Sequence, residues 1–517
     1  MQHGNLLKVS QIARYDSGKG AAGTEIMAYD AKTQKAFVTN GAVSGFDILS
    51  FADLESGKFT EVASQKRLLL ADFGVEDVKD ITSIAVHPTR DLVAISAARN
   101  DKTDKGYIVF VNKNGGFLSS VQVGSLPDMV TFTPDGTKAL VANEGEPSQD
   151  YSVDTEGSIS VIDVTGAPAG FTAKELTFSE DLIDDKVRVS SRGSKLEQLE
   201  PEYITVSADS RTAYVAMQEN NAIATIDLVE EKIVSVKGLG VIDHSVEGNE
   251  MDAIKDGEIK IEKQPILTYH LPDAISTFTV GGNEYIITPN EGDTRDWDAY
   301  SEEKKVGKLG EIELKAENYA GYTQEELDAF DVGLLEDFKV TTESGYNEET
   351  GKYEALYGFG GRSFSIFNAE TMELVYDSGN EFETITKEAA PEYFNSDNEE
   401  VAKDDRSNSK GPEPETAVTG VINGKTYAFI ALERFGGIMV YDVSNPASPS
   451  FVSLLSSRDF SVTQFAGDLE GDDAGKFAGD VSPEGLQFIP ANQSPTGKAL
   501  LAATHEVSGT VAVYQFE

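Results

Sequence analysis

The stretch PEYITVSADSRTAYVAMQENNAIATIDLVEEKIVSV, residues 201–236, decides the fold. It predicts a strand over 203–206, a turn at Ala208-Asp209-Ser210, and further strands over 212–217, 222–228 and 232–236. β-Branched and aromatic residues at period two, punctuated by turn residues, are the strand signal. Four short strands in succession make one antiparallel sheet. The opening of this unit recurs seven times, at Thr24-Glu25, Ile81-Thr82, Pro127-Asp128, Pro201-Glu202, Pro272-Asp273, Pro414-Glu415 and Pro483-Glu484. Four-stranded units repeated radially build a propeller. The expected fold is therefore all-β, a seven-bladed β-propeller over residues 1–517 as a single domain. The last copy lacks a fourth strand, and residues 6–14 supply a spare one before the first copy. The sequence thus predicts that the N-terminal strand completes the seventh blade and removes an open edge.

The same repeat places acids. The start of one strand in a hairpin lies beside the end of the next. Asp128, Glu202, Asp273, Glu415 and Glu484 open innermost strands, while Glu144, Glu219, Glu291, Glu433 and Glu506 follow second strands. All are expected around the mouth of the central channel, joined by Asp293. Hard divalent cations take oxygen ligands, so these acids are candidate ligands for calcium or another divalent metal. An alternative is that each acid caps a structural turn of its own blade. Only the second copy, with Thr82, lacks the acid.

Charge points the same way. Lysine and arginine number 43 against 88 aspartate and glutamate, a net charge of −45. Such a field disfavours nucleic acid and anionic membranes and draws divalent cations. The few cations near the repeat ends stand out: Arg99, Arg295, Arg406 and Arg434, with His270 and His505 on the same predicted face. Arg295, Arg406, Arg434 and His505 are candidate catalytic residues, because guanidinium groups beside a metal suit phosphate or carboxylate. There is no cysteine, which excludes disulfides, thiolate metal sites and cysteine nucleophiles. No Gly-x-Ser-x-Gly, P-loop or His-Glu-x-x-His motif is present, so serine-hydrolase and nucleotide-binding readings lack support. No apolar run reaches transmembrane length, and the start shows no signal-peptide pattern.

Three insertions interrupt the repeat, over 238–263, 299–350 and 379–412, and the sequence places them over the acidic face. The second carries a helical pattern over 323–338. Two acidic loops, 290–298 and 468–475, are further cation candidates; the latter departs from the EF-hand pattern.

Longer motifs add a resemblance. Asn290-Glu291-Gly292-Asp293-Thr294-Arg295-Asp296, Asp405-Arg406-Ser407 with Lys410-Gly411-Pro412-Glu413-Pro414-Glu415, Glu433-Arg434-Phe435-Gly436-Gly437, and Pro483-Glu484-Gly485 with Glu506-Val507-Ser508-Gly509-Thr510 carry it. On these the chain resembles the choice-of-anchor I family, which includes bacterial surface proteins and mesenchyme-specific cell-surface glycoproteins. The resemblance implies an extracellular or cell-surface propeller, in a family where some members carry alkaline-phosphatase or phytase-like labels. Two readings follow. One is a metal-dependent phosphoesterase acting on a phosphate ester. The other is a non-catalytic calcium-binding protein of the surface, matrix or mineral, whose partner is an anionic polymer of the cell wall or matrix.

Overall fold

The computed structural model describes residues 1–4, 7–462 and 478–517. The acidic loop 468–475 lies outside them. Among the described residues, seven sheets have four or five strands. Their innermost strands are Met27–Asp30, Val78–Val86, Pro127–Phe132, Tyr203–Val206, Ser276–Val280, Pro414–Ile422 and Pro483–Ile489. Each adjoins the next, and the last adjoins the first, so the strands line a closed ring. This is a β-propeller.

The sequence explains the packing. Second and third strands, such as Thr212–Met217 and Ala222–Asp227, are buried almost throughout. They are flanked by sheets on both faces and so read as continuous apolar runs. Apolar clusters fill each gap between neighbouring sheets. Met129, Leu140 and Ile159 of the third sheet, for example, pack on Ile204, Val215 and Ala224 of the fourth.

The N-terminal strand closes the ring as expected, over Val9–Asp16 rather than from residue 6. It pairs antiparallel with Thr510–Phe516, in register from Val9 with Phe516 to Asp16 with Thr510. Two additions were not legible in the repeat. Thr60–Val62 pairs parallel with the closing strand, and Gln2–His3 adds a fifth strand to the sixth sheet.

The insertions fold against one another rather than running as separate loops. Met251, Ile266, Leu314, Leu327, Phe338 and Leu356 share a core of their own. The expected helix over 323–338 is shorter. Thr323 and Glu326 form a capping box that opens an α-helix over Gln324–Ala329. The chain is extended again at Phe330, and Asp331 caps a separate 3-10 turn over Val332–Leu335. Arg362, buried beyond the second insertion, ties the first to the third. Its guanidinium donates to the carbonyls of Asp252, Ser407 and Ser409 and meets Glu383 at 3.3 Å.

Candidate metal centre at the channel mouth

Three of the acids owe their position to a backbone irregularity. Pro127 pairs with Asn143 and Met129 with Ala142, which leaves Asp128 on a β-bulge. Glu415 lies on the equivalent bulge between Pro414 and Thr416, and Glu484 on one between Pro483 and Leu486. A bulge re-aims a side chain out of the sheet, here into the ring. The residue before the proline is left-handed in four copies: Leu126, Leu271, Glu413 and Ser482 have φ between 47° and 68°. Non-glycine residues held there carry strain that the surrounding fold must sustain. The second sheet has the same bulge at Thr82, between Ile81 and Ser83.

The bulged acids converge with others that open the remaining innermost strands. Glu25, Asp80, Asp128, Asp273, Glu415 and Glu484 line a channel pocket of about 180 Å³. One step outward, carboxylate oxygens fall into three tight groups, each with its members within 4.8 Å of one another: Glu144, Glu200 and Glu219; Asp273, Glu291 and Glu415; and Glu291, Glu413 and Glu433. Glu202 touches Glu219, Asp273 touches Glu415, and Glu484 touches Glu506, each carboxyl to carboxyl. The structure thus gathers the expected acids at one mouth. Asp293 is exposed, with Lys410 at 3.9 Å, yet its charge acts on Glu219, Asp273 and Glu291.

Burial, reinforced by neighbouring carboxylates, lifts most of these groups well above the usual carboxylate range. This holds for Asp128, Glu144, Glu200, Glu202, Glu291, Glu415 and Glu484. The same causes raise Glu25 to about 8 and, with burial again the larger, Glu433 to about 7. Two carboxyl groups in direct contact need a proton or a cation between them.

The three groups differ in how their charge is met. Glu413 is answered from within the protein: Arg406 Nη2 lies at 2.8 Å, Arg434 Nε at 2.9 Å and Lys410 Nζ at 3.2 Å. Burial would raise its carboxyl, but these cations outweigh that and hold it at about 2. Glu144, Glu200 and Glu219 are all buried. Among the described residues, Glu219 Oε2 is buried without any hydrogen-bond donor. The Glu202 carboxyl beside it can donate only if one of the pair keeps a proton.

The candidate catalytic residues are placed as follows. Arg295 is 1% exposed, and its Nη2 donates to the Gln198 carbonyl at 2.7 Å. Arg434 Nη1 meets Asp397 at 3.1 Å and Asn398 Oδ1 at 2.6 Å. Both it and Arg406 are therefore committed to Glu413 and its surroundings. His505 is enclosed in the seventh sheet, where burial lowers its pKa despite the Asp480 charge. His270 packs on Phe367 and bonds Ser365, and burial lowers it to about 4. Arg99 pairs with Asp77 at 2.8 Å.

The repeat alone misses Glu200 and Glu413. A signal for both was present: Glu-Pro-Glu occurs at 200–202 and again at 413–415, so the residue before the proline doubles the acid after it. The 290–298 loop divides its residues among several tasks. Asn290 braces Ser363 and Ser365, Glu291 joins the ring, and Asp296–Trp297 forms a small hairpin with Tyr300–Ser301.

Among the described residues, no helix is long and apolar enough to cross a membrane. Comparison with known proteins gives the chain's kinship. It is 32% identical to Gigasin-3a of Magallana gigas over 186 residues, 35% of this chain and 64% of that protein. It is 26% identical to the mesenchyme-specific cell surface glycoprotein of Strongylocentrotus purpuratus over 308 residues, 54% of this chain and 38% of that one. The matches therefore span less than two thirds of either relative. Kuenenia stuttgartiensis hydrazine synthase aligns over 95% of both chains at 11% identity and a TM-score of 0.45. The β-propeller domain of Myceliophteria thermophila Cps50 (Swd1) aligns over 98% of both at 8% identity and 0.43. The choice-of-anchor I domain matches residues 25–446, the span that carries all three carboxylate groups, and the chain belongs to that family.

Proposed function

We propose that this chain is a cell-surface or extracellular-matrix propeller that binds a divalent cation, calcium by its chemistry, among Glu144, Glu200 and Glu219. The observation that carries this is the unpartnered Oε2 of buried Glu219 within a group of three carboxylates. A buried, unpaired carboxylate costs several kcal/mol. Glu144 and Glu200 converge on Glu219. Although the Arg295 charge acts on Glu200 and Glu219, among the described residues no cation lies as close as those of Glu413, which favours a hard cation as counter-ion. Calcium takes six to eight oxygen ligands. Positions beyond the three carboxylates are open to water and to the carboxylate or phosphate groups of an anionic wall or matrix polymer. Extracellular placement is supported by the family and by the printed name of the sea-urchin relative.

Binding is favoured over phosphate-ester hydrolysis. The guanidinium groups expected to steady phosphoryl charge already serve Glu413, Asp397 and Gln198. Calorimetric titration of chelator-treated protein with calcium tests the proposal. Heat of binding is expected in the wild type, with affinity lowered roughly tenfold or more in Glu219→Gln, because ligand charge sets affinity. No heat with calcium, magnesium or manganese rejects it.

A further inference from the structure

A strap from the fifth sheet reaches the loop that carries Glu144 and Glu146. It leaves the fifth sheet after Asn283–Pro289 and forms the hairpin of Asp296–Trp297 with Tyr300–Ser301. Ala299 N donates to the Gln149 carbonyl at 3.0 Å, and Asp298 N to Gln149 Oε1 at 3.2 Å. The strap is thereby fastened to the loop that follows the third sheet's second strand. Lys102, from the turn between Val93–Arg99 and Lys105–Val111 of the second sheet, reaches both. Its Nζ lies 2.7 Å from Glu146 Oε2 and 3.8 Å from the centre of the Trp297 ring. Lys102 thus holds Glu146 through charge and Trp297 through the face of the indole.

Glu146 is no bystander to the carboxylate group. After burial, its charge is the largest influence on Glu144, and it also acts on Glu200 and Glu219. It is the next acid along the chain after Glu144. The Trp297 Nε1 is buried and has no hydrogen-bond partner. The indole therefore has the Lys102 contact on its ring face and no hydrogen bond at its nitrogen.

Resting on the cation-binding reading of the same site, we infer that Glu146 is a reserve ligand and Lys102 its tethered competitor. A divalent ion seated among Glu144, Glu200 and Glu219 draws the Glu146 carboxylate away from the ammonium, because the doubly charged ion attracts it more strongly at equal distance. Lys102 then loses one of its two partners, and Trp297 feels the change. The competition sets how tightly calcium is held. It also transmits occupancy of the centre to the strap.

Trp297 is the only tryptophan, alongside 19 tyrosines, so emission excited at the red edge, beyond tyrosine absorption, reports the strap. Full-length, chelator-treated protein is titrated with calcium while binding heat and tryptophan emission are followed together. In the wild type, emission is expected to change in step with the heat. In Glu146→Gln, heat is expected to persist with weaker affinity while the emission change disappears. In Lys102→Met, calcium is expected to bind about fivefold more tightly. Removing a positive charge near acids could tighten binding by itself, so the loss of emission change in Glu146→Gln is the decisive readout. Heat without an emission change in the wild type, or an emission change that survives Glu146→Gln, overturns this inference and leaves the centre intact. No heat at all overturns both. Circular dichroism establishes that each variant is folded, and if Glu146→Gln is not, the wild-type emission and Lys102→Met affinity decide.

Discussion

Thr82 occupies the bulge that Asp128, Glu415 and Glu484 occupy in other sheets. Its hydroxyl bonds the Pro127 carbonyl at 2.5 Å and the Ser96 hydroxyl at 2.7 Å. The backbone irregularity therefore forms around a neutral side chain, and the acids elsewhere are not needed to make it. That separates the two explanations left open by the repeat: the bulge is structural, and the carboxylate upon it is an addition. Neighbouring acids should then respond in opposite senses. Glu484→Gln removes charge from a group pressed by Glu506 and Glu433, and is expected to raise the melting temperature of the cation-free protein. Glu413→Gln strands Arg406, Arg434 and Lys410 without their shared partner, and is expected to cost about 3–5 kcal/mol in denaturant unfolding. Equal effects of the two substitutions would contradict this division. The sequence made the bulged acids legible because proline and acid recur together. It did not make the difference between Glu413 and Glu415 legible, since two residues in one Glu-Pro-Glu triplet look alike until the arginines arrive from elsewhere in the chain.

The insertions behave as one element. Their shared core and the Arg362 crossing join segments far apart in sequence, with the guanidinium reaching Asp252, Ser407 and Ser409 at once. None of those contacts has a local signature, so the sequence could place the insertions over the face without revealing that they pack together. The helix over Gln324–Ala329 was legible through its capping box, while its early end reflects Asp331 capping a second turn. Arg362→Met leaves the carbonyls of Asp252, Ser407 and Ser409 without this donor, at about 1–3 kcal/mol for each group left unmade, and Glu383 without its cation. Hydrogen exchange should accelerate around 252–257 and 404–411 while the amides of the sheets stay protected. Uniform acceleration across the ring would instead make Arg362 a support of the whole propeller.

The ring as a whole is balanced against its own charge. In the absence of a cation, Glu25 at about 8 and Glu433 at about 7 retain protons that the unfolded chain, with an ordinary value of 4.5, has released. The folded state then binds more protons between those limits, so stability is present at low pH and is lost as pH rises from about 4.5 through about 8. Glu413 runs the other way: its contribution is present above 4.5 and is lost as pH falls towards about 2. Melting temperatures in chelator should fall from mildly acidic to mildly alkaline pH, and calcium should flatten that decline. Closure matters at the same scale. Removing residues 1–16 bares the edge of Thr510–Phe516, and size-exclusion chromatography is expected to show self-association. The radial repeat made this architecture legible from composition and spacing. The strap, with Lys102, Glu146 and Trp297 meeting from three different sheets, was beyond any local pattern. The central claim is that a divalent cation sits among Glu144, Glu200 and Glu219, and an anomalous-scattering crystal structure of the protein grown with calcium tests it most directly. The account predicts a calcium peak with oxygens of all three carboxylates about 2.3–2.6 Å away; the three side chains unchanged around no peak, with calcium bound elsewhere or not at all, would contradict it.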